Sequence, residues 1–268
     1  MTSSARAAAI PPFIRSKPMS LPVETRPHPS MRHEWPSRQR RLTVVDTQAV
    51  TPRMRRITFA SPDLHDFRSL GADDHLKLLL PAAGSGDSCR RDYTIRRFDP
   101  AARTLQIDFA LHRAGPATAW ALAARPGDRL DVAGPRKSVV VGDDFDWLLL
   151  VGDATALPAI GRRLEELPPG RHVTTLVLVD DDGERQAVAT RARWHAHWLS
   201  RDAAGANDDT ALLDAARALV LPPGDGYIWI AAEARVNALL REHFLQERGH
   251  PREWLKASNY WHRAGARP

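Results

Sequence analysis

The sequence predicts a two-domain α+β protein: an N-terminal antiparallel β-barrel followed by an α/β domain built on a parallel sheet. Three observations carry this. Short runs rich in β-branched, leucine and aromatic residues recur between Leu42 and Val141, divided by Pro- and Gly-containing turns; this is the rhythm of a small antiparallel barrel. After Asp143-Asp144 the runs become continuously apolar and alternate with helical segments, as strands covered on both faces of a doubly wound sheet do. A length of 268 residues, 43% hydrophobic and 26% charged, suits two ordinary domains with packed cores.

In chain order, residues 1–40 are rich in Ala, Pro, Ser and Arg and are expected to form a mobile basic tail. The barrel domain is placed at 41–144. Its strands are Leu42–Val45, Ile57–Phe59, His75–Leu80, Tyr93–Ile95 and Leu105–Leu111, with Leu130–Val132 closing it after Gly127-Asp128. The α/β domain is placed at 145–268. Trp147–Val151, His172–Val179 and Tyr227–Ala231 are expected as buried strands, and Thr155–Leu167 and Arg235–Arg248 as helices. In the last, Val236, Leu239, Leu240, Phe244 and Leu245 fall on one face, the period of a helix packed on a sheet.

A net charge of +6 favours anionic partners such as phosphate-bearing cofactors or acidic chelates. The basic cluster Arg32, Arg38, Arg40 and Arg41 raises nucleic acid as a partner, but no recognition helix or aromatic platform accompanies it, so that reading is disfavoured. The single cysteine, Cys89, excludes an internal disulfide and a cysteine zinc site, pointing to a reducing compartment. No run has the length of a membrane span and the N-terminus lacks an apolar signal core, so a cytoplasmic location and no membrane insertion are expected.

The segment Arg90–Arg96 carries the most chemical information. Tyr93 offers a flat wall for an isoalloxazine ring, Arg91 or Arg96 a partner for a diphosphate, and Thr94 a hydrogen bond to the ring edge. On a straight strand Arg91 and Tyr93 share one face and Thr94 takes the other, unless the strand end bends. A surface strand with solvated arginines would show the same residues. Further on, Gly115-Pro116-Ala117-Thr118 opens a short helix whose first N–H groups form a ready anion site; an ordinary capped helix with Trp120 as core is the plainer reading. Gly152, Asp153 and Thr155 follow the first apolar strand of the second domain, where a βα turn can bind a nucleotide, although no G-x-G-x-x-G fingerprint is present. The acidic turn Asp180-Asp181-Asp182 would oppose a 2′-phosphate and so favour NADH over NADPH. At the chain end, Tyr260 and Trp261 suit either an aromatic lid or terminal packing. His195 and His197 share a strand face, but no third ligand is near and no metal is expected.

Together these motifs resemble the siderophore-interacting protein family. The resemblance rests on Arg91-Asp-Tyr93-Thr94-Ile-Arg96, Asp108-Phe-Ala-Leu-His112, Gly115-Pro-Ala-Thr118-Ala-Trp120, Gly152-Asp-Ala-Thr-Ala-Leu-Pro-Ala-Ile160 and the terminal Tyr260-Trp261 with Arg263 and Gly265, and spans about residue 40 to the end. It implies an FAD-dependent ferric-siderophore reductase on the ferredoxin-NADP reductase plan. FAD would be held by Arg91, Tyr93, Thr94, Arg96, Asp108, His112, Gly115, Pro116, Ala117, Thr118, Tyr260 and Trp261. NADH or NADPH would bind by Gly152, Asp153, Thr155 and Glu233, with a ferredoxin as another possible donor. Lys77, Lys256 and Arg263 are expected to hold the anionic ferric siderophore. Iron(III) held by hard oxygen donors is released once reduced, so no acid–base pair or nucleophile is required. Arg113 stands where the family usually has glycine, Ala154 where it has glutamate, and Ala232 where it has glycine. A flavin oxidoreductase with another acceptor and a non-enzymatic siderophore carrier are the competing readings.

Overall fold

A computed structural model describes residues 28–80, 89–112, 115–204 and 208–263. Gly84–Ser88, Arg113 and Gly265 fall outside these. The first domain contains β1 (Ser30–Glu34), β2 (Gln39–Thr51), β3 (Met54–Ala60), β4 (His75–Leu80), β5 (Cys89–Thr94), β6 (Arg97–Asp99), β7 (Thr104–Ala110), α1 (Pro116–Ala123), β8 (Arg129–Ala133) and β9 (Lys137–Val141). Seven strands form one antiparallel sheet in the order β5-β4-β8-β2-β3-β7-β6, while β1 and β9 pair as a separate ribbon. The sheet wraps around Leu42, Ile57, Phe59, Leu76, Leu78, Leu105, Ile107, Phe109 and Val132, nearly all without solvent exposure. In β2 the alternation Arg40, Leu42, Val44 points inward, as the period of two requires. Helix α1 starts at a proline, whose missing N–H costs nothing in a first turn. It lays Ala117 and Ala121 on the core and stops just before Arg125-Pro126, since a residue preceding proline resists helical geometry.

The second domain comprises β10 (Trp147–Asp153), α2 (Leu157–Glu166), β11 (His172–Val179), β12 (Arg193–Ser200), α3 (Arg201–Ala204), α4 (Asp208–Ala218), β13 (Gly226–Glu233), α5 (Ala234–Glu242) and β14 (Leu255–Trp261). All five strands are parallel, in the order β12-β11-β10-β13-β14. Successive strands lie first on one side of β10 and then on the other, so the carboxyl ends of β10 and β13 form the switch point where open α/β sheets receive ligands. Gly152 makes this junction possible: a Cβ there would lie 2.4 Å from the Ala156 Cβ and 2.5 Å from the Ala231 carbonyl oxygen.

Two expectations need correction and one open alternative is decided. The tail placed at 1–40 contains β1 and the start of β2, and the four arginines of the basic cluster at 32–41 are engaged. Arg32 pairs with Glu34, Arg38 and Arg40 with Asp66, and Arg41 with Asp131. Such paired cations leave little free charge for a nucleic-acid backbone. Residues 255–261, where the sequence left an aromatic lid or terminal packing open, form a full strand of the parallel sheet. The helix expected from Thr155 begins as a 3-10 turn, with α2 proper starting at Leu157. Among the described residues no helix is long and apolar enough to cross a membrane.

The domains are tied together by polar groups. The β2–β3 turn docks on Glu184, which accepts from Thr51 Oγ1 at 2.5 Å and from the Arg53 N–H at 2.9 Å. From α2, Arg162 donates to the Ile95 carbonyl (3.0 Å) and Ser69 Oγ (2.8 Å).

Candidate functional site

A cleft of about 660 Å3 opens between the barrel and the carboxyl end of the parallel sheet, within the usual range for cofactor sites. Tyr93 forms one wall, its ring held 4.6 Å from the Phe109 ring, and Trp120 backs Phe109 at 5.9 Å. The end of β5 is bent: the Ile95 N–H turns to the Asp74 carbonyl and the Arg96 N–H to Gln106. Tyr93 and Thr94 therefore both reach the cleft, though a straight strand would separate them. The start of α1 lies opposite, with Gly115 extended at φ −162° and the free first-turn N–H groups of Ala117 and Thr118 available to an anion. Arg90 and Arg91 line the cleft as well.

At the other end of the cleft, Tyr260 and Trp261 enter together. Neighbours on a strand normally face apart, but the β13–β14 register slips here: Ala232 pairs with Asn259 and Glu233 with Trp261, leaving Tyr260 as the extra residue. Such a bulge re-aims side chains. The Tyr260 ring meets Trp229 edge-on at 6.0 Å.

Of the twelve residues expected to hold FAD, eleven line this cleft; Arg96 does not. Its guanidinium is buried and joined to Glu165 on α2, at 2.8 Å through Nη1, with Asp108 3.6 Å away. Asp108 in turn takes a two-pronged bond from Arg56 at 2.7 Å each. The fit to a flavin nucleotide thus rests on the aromatic wall, the helix N-terminus and the arginines at 90 and 91. Pro158, in the first turn of α2, also lines the cleft; its place at a βα turn was the available sequence signal.

Two further clefts share walls with this one but none with each other. One is lined by Asp73, Asp74, His75, Asp92, Thr94, Lys137, Lys256 and Tyr260. Its carboxylates are mostly compensated: Asp73 pairs with Lys256 and Asp92 with Lys77 at 2.7 Å. Burial pushes the Asp74 carboxyl up, against hydrogen bonds from Ser138, the Gly71 N–H and Ser69 and the charge of Arg162. Asp73 is also penalised by burial, yet Lys256 and its other partners hold its carboxyl below the usual range. Lys137 makes no ion pair among the described residues. The other cleft is lined by Arg53, Arg201, Arg263, Asp180, Glu184, His112, Asp153, Thr155 and Trp261.

The three cations expected to converge on a chelate are dispersed. Lys256 stands in the first of these clefts, Arg263 in the second, and Lys77 in a neighbouring groove with Trp35 and Arg136. Strand placement decides this, since Lys77 lies across from Asp92 in the β4–β5 register. Of the residues expected at a nicotinamide nucleotide, only Asp153 and Thr155 line the arginine cleft. Gly152 is buried packing, and the Glu233 carboxylate is spent on backbone groups, accepting from Arg235 at 2.7 Å, Val236 at 3.4 Å and Arg263 at 3.2 Å. Burial opposes its charge, but those three N–H groups and the Arg263 charge hold its carboxyl below the usual range. The acidic turn is also altered: Asp180 binds Arg53 at 2.5 Å and Arg201 at 3.2 Å, so it opposes a phosphate far less than a bare carboxylate would.

The protein's three tyrosines, Tyr93, Tyr227 and Tyr260, all have hydroxyls pushed up by burial, Tyr93 to about 12 against the opposing charge of Arg91. An unfolded tyrosine ionises near pH ~10, so their contribution to stability is complete below that value and is lost as pH rises through the folded values. A spectrophotometric titration should show no tyrosinate until about pH 11, then its appearance together with loss of circular dichroism. Tyrosinate forming near pH ~10 with the fold intact would contradict this burial.

Comparison with known proteins agrees with this arrangement. Residues 145–264 match the family described as Siderophore-interacting protein, and residues 43–89 and 83–139 match the Siderophore-interacting FAD-binding domain. The chain is 34% identical over 245 residues to the NADPH-dependent ferric-chelate reductase of Escherichia coli, covering 84% of this chain and 93% of that protein. A siderophore utilization protein from T. fusca superposes with a TM-score of 0.82 at 35% identity, covering 89% of this chain and 98% of the other. The siderophore-interacting protein SipS from Aeromonas hydrophila does so with a TM-score of 0.74 at 31% identity, over 86% and 94%. The chain therefore belongs to the siderophore-interacting protein family.

Proposed function

We propose that this protein is an FAD-dependent ferric-siderophore reductase that takes electrons from a nicotinamide nucleotide, with NADPH the favoured donor. The observation that carries the reading is the junction of the three clefts. Thr94 and Tyr260 line both the central cleft and the lysine-containing one, whereas His112, Thr155 and Trp261 line both the central and the arginine-containing one. A ring lying along Tyr93 would present its edge between an acceptor on one side and a donor on the other.

FAD, when bound, supplies the conversion of a two-electron hydride into single electrons for Fe(III). The chain's own residues do the rest. Tyr93 and Tyr260 shape the ring site and exclude water from it. The N-terminal turn of α1 and Arg90 and Arg91 hold the diphosphate. Lys137 and Lys256 attract an anionic iron chelate, whose hard oxygen donors release iron after reduction. Arg53, Arg201 and Arg263 meet the phosphates of the nucleotide, as in the NADPH dependence of the E. coli relative's name. Because nicotinamide nucleotides are intracellular, the reaction is placed in the cytoplasm.

The test is an anaerobic visible spectrum of the FAD-loaded protein. NADPH should bleach the flavin bands faster than NADH at equal concentration. A ferric siderophore should then restore them while a chromogenic chelator traps Fe(II). Bleaching only by reduced ferredoxin would replace the donor assignment, and failure to take up FAD would overturn the proposal.

A further inference from the structure

We infer that Asp153 is a positioning residue that latches the Trp261 indole across the passage between the central and arginine-lined clefts, and that donor entry opens this latch. The inference rests on the reading of those clefts as flavin and nucleotide sites. Trp261 is partly exposed and lines both cavities, so its ring forms part of the wall between them. Its indole Nε1 donates to Asp153 Oδ2 at 2.8 Å.

Asp153 ends β10 and is 3% exposed, yet it has no ion pair among the described residues. Its four acceptor contacts all come from neutral donors. Oδ1 takes the Thr155 N–H at 2.9 Å and the Thr155 hydroxyl at 2.6 Å; Oδ2 takes the indole and the Glu233 N–H at 3.2 Å. A buried carboxylate without a cation depends on every such bond. Glu233 completes the clasp by accepting the backbone N–H of Arg263, two residues beyond the indole. Carboxylates at the ends of adjacent strands, where such sheets usually receive ligands, are thus both turned onto the end of β14.

The bond is replaceable, which separates a latch from packing. Because the indole lines both cavities, a donor ring passing from the arginine cleft to the central one would meet it, and the Asp153 bond sets how readily it moves aside. In Asp153→Asn, Oδ1 can keep the two Thr155 donors, but the amide NH2 then faces two further donors and cannot hold the indole.

The experiment begins with flavin-free protein. The indole N–H resonance of Trp261, identified by its absence in Trp261→Phe, should exchange with solvent at least tenfold faster in Asp153→Asn. In the FAD-loaded protein, the same substitution should lower the KM for NADPH in flavin reduction about fivefold, with reoxidation by ferric siderophore unchanged. Adding Asp153→Asn to Trp261→Phe should not change the KM for NADPH further, and Trp261→Phe alone should reproduce the fall in KM if the Asn variant does not fold. Unchanged indole exchange, an unchanged or raised KM for NADPH, or an equal effect of Asp153→Asn without Trp261 would overturn the latch. Should NADPH not reduce the wild-type flavin, the functional reading fails instead, while indole exchange still decides whether the bond holds.

Discussion

Replacing Asp108 with alanine is expected to destabilise the flavin-free protein by about 3–5 kcal/mol, the typical cost of removing one partner from a buried ion pair. Its carboxylate is 1% exposed and stands between Arg56, at 2.7 Å, and Arg96, at 3.6 Å. Without it, Arg56 loses both prongs of its bond and Arg96 keeps only Glu165. Thermal unfolding should fall by on the order of 10 °C for a chain of this size. Arg96→Ala should cost less, because Glu165 is one-third exposed and regains water, and Asp108 retains Arg56. The double substitution should cost less than the sum of the two, since it removes one of the orphaned charges along with its partner. Additive losses would show that Arg96 and Asp108 act independently. The Arg96–Glu165 pair also joins the barrel to α2, so limited proteolysis between the domains should quicken in Arg96→Ala.

The second large effect concerns the cleft. Tyr93→Ala should weaken FAD binding by roughly 10- to 100-fold, the loss expected when an aromatic stacking platform worth ~1–3 kcal/mol is removed. Tyr93→Phe should bind nearly as the wild type, because the ring supplies the contact and Phe109 fixes its orientation from behind. Equilibrium titration of the flavin-free protein with FAD, followed by flavin fluorescence, separates the two. An alanine variant within twofold of wild type would remove Tyr93 as the wall of the site.

Much of this arrangement is legible in the sequence. The β-branched, leucine and aromatic richness of Leu42–Val45 and Leu105–Leu111 between turn signals and the continuous apolar runs Trp147–Val151, His172–Val179 and Tyr227–Ala231 mark strands because they reflect local propensity and burial directly. The helix opened by Gly115-Pro116 could be read from the same local rules. The edge strand β12 was harder to see because its burial pattern is mostly exposed or partial, so little apolar periodicity survives. Strand β14 is similar: half-buried except at the exposed Asn259, it looks from sequence like a loose aromatic end.

The misplacements have a different origin. Arg96 carries the same charge as Arg91 and lies in the same motif, but the bend after Thr94 turns it toward α2. Asp108 breaks alternation in β7, where Ile107, Asp108 and Phe109 are buried in succession, because the second domain covers the face that an isolated barrel would leave wet. Lys77, Lys256 and Arg263 could not be assigned to one pocket, since each lies on a different strand or end and its neighbours come from remote positions.

By itself the sequence determined the two-domain order, the character of each sheet and the set of segments that meet at the cleft. Local propensity and burial period are written in neighbouring residues, and the resemblance of motifs added which cofactor those segments serve. Only the tertiary structure decided what each charge does. Asp153 meets an indole 108 residues away, Arg96 a carboxylate 69 residues away, and Glu184 a turn more than 130 residues away. The strength of a hydrogen bond or ion pair depends on the distance and burial of its two partners, and those are set by how the domains dock.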